Sequence, residues 1–124
     1  MALLPSVRTL IAGSIHSMAA LEQLLLLHRS ADTYWTVAAA ASPLAAPEER
    51  IAAALHSLRR HGLIVQARET VAFRYAPRSE AGREAVDALA SAYEQQRLAV
   101  LEAVHASGNT SVEAFAEAFR FRRD

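Results

Sequence analysis

Six side chains between residues 50 and 74 are of the kinds that grip an anion: Arg50, His56, Ser57, Arg60, Arg68 and Arg74. A guanidinium stays charged at any physiological pH and presents a planar fork of N–H donors. Histidine and serine add shorter, local donors. Together they can neutralise and hydrogen-bond oxyanions, which is binding chemistry and not bond-making. Catalytic arrangements are missing. There is no cysteine, which removes thiolate nucleophiles, disulfides and thiolate zinc sites. The histidines at 16, 28, 56, 61 and 105 are scattered, and the pair 56/61 is five apart, so on a helix the two diverge from any shared metal. No glycine-rich phosphate loop, G-x-S-x-G or apolar pair of carboxylates occurs. Glu48-Glu49 reads as a helix start, not an acid/base pair. Neither an enzyme nor a bound metal or cofactor is expected.

The elements that must position those six follow from capping and periodicity. Thr36 is a good N-cap for a short helix of small apolar residues over 37–42, broken by Leu44-Ala45-Ala46-Pro47. Pro47-Glu48-Glu49 then starts a second helix, with proline early and acids in the first turn. Ile51, Leu55 and Leu58 recur at i, i+4, i+7 as one buried stripe. His61-Gly62 ends the helix, glycine taking the left-handed C′ conformation cheaply. Residues 63–68 and 71–76 are expected strands around a turn at Glu69-Thr70, with Val71, Phe73 and Tyr75 pointing inward. At about 100° per residue, Glu49, Ala53, His56, Ser57 and Arg60 then centre on the face opposite the stripe, with Arg50 beside them. Arg74, and Arg68 near the tip, are left free.

The flanks are helical. Residues 5–13 read as a short helix or arm. Ser17 caps a firmer helix, Met18–Arg29, whose Leu21, Leu24, Leu25 and His28 form an inward stripe. Tyr34-Trp35 is placed to add a small third strand, and the lone tryptophan reads as core. One long helix is expected from about Glu80 to His105, with Leu98 on its acidic face and Leu101 at the edge. A stop follows at Ser107-Gly108-Asn109, and Ser111 then caps a last helix bearing Phe115 and Phe119.

Composition narrows the setting. A chain of 124 residues that is 52% hydrophobic suits one domain with an ordinary core. Every basic residue is arginine, which with the abundant alanine suggests a GC-rich bacterial genome. Net charge is zero, yet it is unevenly spread. Residues 33–78 carry six arginines against three acids, and residues 79–124 carry five against eight. The positive charge therefore sits on the segment holding the six donors, where a polyanion would need it. Thr9, Ser14 and His16 interrupt the N-terminal apolar run, which argues against a signal peptide. Leu24–Leu27 is too short to span a bilayer, so no membrane is expected and a cytoplasmic location is.

Helix, turn, helix, hairpin in that order is the pattern of a winged helix-turn-helix. The chain resembles transcription regulators of the MarR, ArsR and PadR type at Trp35-Thr36, at Ile51, Leu55 and Leu58, and at Arg59-Arg60-His61-Gly62-Leu63-Ile64. The resemblance covers roughly Ser17 to Tyr75. It implies a mainly α fold with a small β-hairpin wing, flanked by N-terminal and long C-terminal helices: a single domain over 1–124, core 17–77, dimerisation helices 80–121. It further implies a double-stranded DNA-binding transcriptional regulator that forms a homodimer. Such dimers often hold an effector, and Tyr34, Trp35, Phe73, Tyr75 and Tyr93 could line its site, although the same residues make an ordinary core.

Three features weigh against a tight reader of sequence. Glu48 and Glu49 begin the reading helix and repel phosphate. Ala52-Ala53-Ala54 leaves its middle bare, and Arg68-Glu69-Thr70 makes a short wing. Modest affinity or specificity is expected. A second reading stays open, a winged helix used for protein contacts, its partner held through the C-terminal helices by Leu98, Leu101 or the phenylalanines.

Overall fold

Side-chain caps and prolines fix where the helices begin. In the computed structural model, which describes residues 3–108, helix α1 (Pro5–Ser14) opens on its proline. Ser17 Oγ accepts the amide of Ala20 and starts α2 (Met18–Arg29). Thr36 Oγ1 accepts the amide of Ala39 and starts α3 (Val37–Ala41). After a 3-10 turn over Ser42–Leu44 the chain passes through a left-handed Ala45 into α4 (Glu48–Arg60). Pro47 stands at the cap position of α4 without a side-chain hydrogen bond, and Glu48 and Glu49 occupy its first turn. The dipole favours acids there.

α4 ends as its glycine requires. Gly62 has φ 76°, its amide donates to Arg59 O at 3.0 Å, and the amide of Leu63 donates to Leu58 O at 3.1 Å. This pair of bonds closes the last carbonyls of the helix and turns the chain into the sheet.

Strands β1 (Trp35–Thr36), β2 (Ile64–Gln66) and β3 (Ala72–Tyr75) form an antiparallel sheet in the order β1-β3-β2. Trp35 pairs with Phe73, and Ile64, Val65 and Gln66 pair with Tyr75, Arg74 and Phe73. The third strand thus falls on Trp35–Thr36, one residue later than Tyr34-Trp35. The hairpin strands are shorter than the runs 63–68 and 71–76. Ala67 N bonds Ala72 O, Ala72 N turns back to Thr70 O, and the wider connection takes up the strand ends. Val71 is therefore 57% exposed and not inward, whereas Phe73 and Tyr75 are buried.

The core gathers Ile51, Leu55 and Leu58 of α4, Leu21, Leu24, Leu25 and Leu27 of α2, and Ile64 and Phe73 of the sheet. α2 packs against α4, α3 against α4, and α1 against the helix that Ser79 caps. Trp35 is half-buried against this core, its indole N–H donating to Ser30 Oγ. His28 lies at the edge of the α2 stripe and bonds Asp87 Oδ1 at 2.8 Å.

The single C-terminal helix expected over 80–105 is broken. Helix α5 (Glu80–Gln95) starts on the Ser79 cap and ends at Gln96, whose φ −136° and ψ 48° are not helical. A second helical stretch, α6 over residues 97–108, follows. The bend lets Val100 and Val104 enter the core, and Ser107 Oγ donates to Ile11 O of α1. No proline or glycine marks the break, so periodicity carries through it unremarked. Ser107 and Gly108 are helical, and Asn109 of the expected stop lies outside the described residues. Leu101 packs against the core, and Leu98 is 69% exposed. The expected last helix with Phe115 and Phe119 lies outside the described residues. No single described helix is long and apolar enough to cross a membrane; α1 and α2 meet the length and composition only as a pair bent by 119°.

Candidate nucleic-acid interface

The buried stripe of α4 determines what its opposite face presents. With Ile51, Leu55 and Leu58 inside, Arg50, Ala53 and Arg60 are exposed, and His56 and Ser57 are half-buried. The face divides into two edges. Along one, Arg50, Ala53, Ala54 and Ser57 line an open groove of about 500 Å³, whose far wall is the start of α2 at residues 16–20. Along the other, the His56 ring stands edge-on to Phe73, centroids 5.4 Å apart. His56 thus packs against the sheet while staying half-buried at the edge of the α4 face.

The end of α4 is tied by a second histidine. The His61 Nδ1–H donates to Ser57 O at 2.8 Å, and its ring meets that of His16 at 6.2 Å between centroids. His16 in turn donates from Nε2 to Ala12 O. The corner between α1 and α2 thus abuts the last turn of α4, close to Arg60.

Arg68 is exposed on the hairpin connection. Arg74 is not free, as alternation had suggested. It is half-buried, its guanidinium carbon lies 5.3 Å from the centre of the Tyr34 ring, and its Nε is enclosed without a hydrogen-bond partner. The six predicted residues thus fall into three groups. Arg50, Arg60 and Arg68 are exposed cations. Ser57 lines the α2–α4 groove beside Arg50. His56 and Arg74 are turned onto aromatic rings.

Glu48 and Glu49 begin the same helix, and no ion pair among the described residues includes Arg50, Arg60 or Arg68. Among the described residues the two ion pairs, His28–Asp87 and Arg83–Glu80, lie on α2 and α5, away from the α4 face. Sequence reasoning missed Arg59 and Arg78, both exposed, the latter folded against Gly62. It also missed Tyr34 as the ring beneath Arg74. Only the register Trp35↔Phe73 brings these two together, and local spacing carries no trace of it.

Phe73 and Tyr75 are core, and Tyr93 lines a cavity of about 220 Å³ between α2, the 42–44 turn and α5. The Tyr75 phenol is buried without a partner, and that burial, with the Asp87 carboxylate next in effect, pushes its pKa up to about 12. Among the described residues no three His, Asp or Glu side chains gather to hold a metal. No family model, curated protein or solved structure matches this chain.

Proposed function

We propose that the chain is a winged helix-turn-helix protein that binds double-stranded DNA as a transcriptional regulator. In this reading α3 and α4 are the helix pair, β2 and β3 the wing, and β1 the small third strand. One observation carries the proposal: α4 buries Ile51, Leu55 and Leu58 while Arg50 and Arg60 stand exposed on its other side, unneutralised by any ion pair among the described residues. A helix of that build can lie in a major groove with its arginines on phosphate or guanine. Arg68 adds a cation on the hairpin.

The same face sets a limit. Ala53 is its exposed centre and Glu48 and Glu49 its leading end, so few side chains reach base edges. Most of the affinity then comes from phosphate neutralisation, which is strongly salt-dependent and indifferent to sequence. Replacing Arg50, Arg60 or Arg68 by alanine lowers the slope of log K against log[salt] by about one for each phosphate no longer neutralised. Slopes equal to wild type in all three variants would remove the phosphate-binding role.

A homodimer fits the exposed Leu4 and Leu98 at the two ends of the described chain, the segments from which the resemblance expects an interface. Two-fold symmetry would set two copies of α4 about 34 Å apart, one turn of DNA. The second reading, a protein-contact module, draws on the same exposed Leu98 and on the acids leading α4. It expects no salt-sensitive DNA binding and a partner that Leu98→Asp no longer holds.

A further inference from the structure

The outer face of the sheet holds a cation that no ion pair among the described residues answers. Arg74 on β3 has an enclosed, unpartnered Nε, and neither ion pair among the described residues includes it. Val65 faces it across the β2–β3 register. On the other side, carrying the Trp35↔Phe73 register one step outward sets Tyr34 opposite Arg74, and the guanidinium does lie over the Tyr34 ring at 5.3 Å. A phenol ring, a guanidinium and an aliphatic side chain thus form one row across the sheet. Tyr34 is 49% exposed and Val65 37% exposed, so the row faces outward.

The enclosed Nε is out of reach of a ligand, but the terminal Nη donors of the guanidinium are not enclosed, and these can hydrogen-bond an oxyanion. Arginine normally loses rotamer freedom when it grips a ligand, and one already laid on a ring has lost part of it beforehand. The face of an aromatic ring also attracts the cation directly. Arg74 is therefore held ready in mid-sheet, while the hairpin connection at 67–71 offers only Arg68 as a cation.

We propose that the Tyr34–Arg74 row on the sheet face is a seat for a phosphate of the DNA backbone, with Tyr34 as the residue that positions Arg74 for the oxyanion. The inference rests on the DNA-binding reading and assigns it a surface. Tyr34 acts through Arg74, so it contributes affinity without contributing charge. Removing Tyr34 then costs nothing further once Arg74 is gone, which a merely structural tyrosine does not explain.

The test is fluorescence anisotropy of a labelled random duplex with the full chain at several salt concentrations. It compares wild type, Tyr34→Ala, Tyr34→Phe, Arg74→Ala and the Tyr34→Ala/Arg74→Ala double variant. Tyr34→Ala should weaken binding about two- to fivefold, the range of an exposed cation–π contact, with the salt slope retained. Tyr34→Phe should bind as wild type, Arg74→Ala should lower the slope by about one, and the double variant should be no weaker than Arg74→Ala alone. Wild-type affinity in Tyr34→Ala, or additive losses in the double variant, would overturn the inference. Should Tyr34→Ala fail to fold, Arg74→Lys decides in its place. It keeps the charge and loses the planar stacking, so weaker binding at an unchanged slope supports the row and unchanged binding overturns it. A wild-type chain that shows no salt-sensitive binding refutes the DNA reading itself, whereas binding with an inert Tyr34 refutes the seat alone.

Discussion

Gly62→Ala tests the joint between the proposed reading helix and the hairpin. Gly62 has φ 76°, a conformation that costs an L-residue about 1–2 kcal/mol. The added methyl would meet the Arg78 Nε at 3.2 Å and its Cβ and Cζ at 3.3 Å. Nε and Cζ belong to the end of an exposed side chain that can swing aside, whereas Cβ is fixed to the backbone and leaves one tight contact. The Arg78 amide still bonds Gly62 O at 2.7 Å and holds the backbone in its turn. Relief by relaxing the turn is therefore closed off, and a loss of about 1–2 kcal/mol is expected. Urea denaturation followed by circular dichroism should show a lower midpoint at an unchanged m-value, and melting should fall by about 3–8 °C. Gly62→Asn should lose less, because asparagine enters the left-handed region more readily. An alanine variant as stable as wild type would refute the reasoning, since it would show the turn free to leave φ 76°.

Three further outcomes follow from single residues. Ser17→Ala removes the oxygen that accepts the Ala20 amide and should cost about 1 kcal/mol in the same urea assay, with no loss if α2 is held by packing alone. Tyr75→Phe should be neutral or stabilising by up to about 1 kcal/mol at neutral pH, because the hydroxyl is buried without a partner. The Tyr75 pKa is raised in the fold to about 12, so its share of stability is full below the unfolded value of about 10 and is lost as pH rises through 12. Wild type should lose stability more steeply than Tyr75→Phe over that window, and parallel curves would contradict the burial.

Much of this arrangement is legible in local sequence, because local forces set it. Ser17 and Thr36 cap the helices they precede, Gly62 ends α4, and Ile51, Leu55 and Leu58 are buried together. Each depends on neighbours within one or two helical turns. The rest depends on contacts far apart in the chain. Gln96 breaks the C-terminal helix so that α6 can reach α1, and neither residue type nor hydrophobic period announces this. Arg74 alternates outward as expected, yet a ring forty positions earlier claims its guanidinium. His56 occupies a helical position that geometry places near the outer face, and Phe73 draws its ring to the sheet. Gln23 lies on the α2 face turned toward α3, where its Nε2 donates to Ala40 O and its Oε1 stays unpaired in the core. A glutamine beside Glu22 at the head of the leucine run gives no sign that it will be buried.

The central proposal is that the exposed arginines of α4, outside every ion pair among the described residues, bind DNA. Anisotropy of a labelled random duplex at low and moderate salt, with wild type and Arg60→Glu at matched fold, tests it most directly. The account predicts saturable binding that weakens as salt rises and weakens further in Arg60→Glu. Binding that is absent at low salt, or equal in the two proteins, would contradict it.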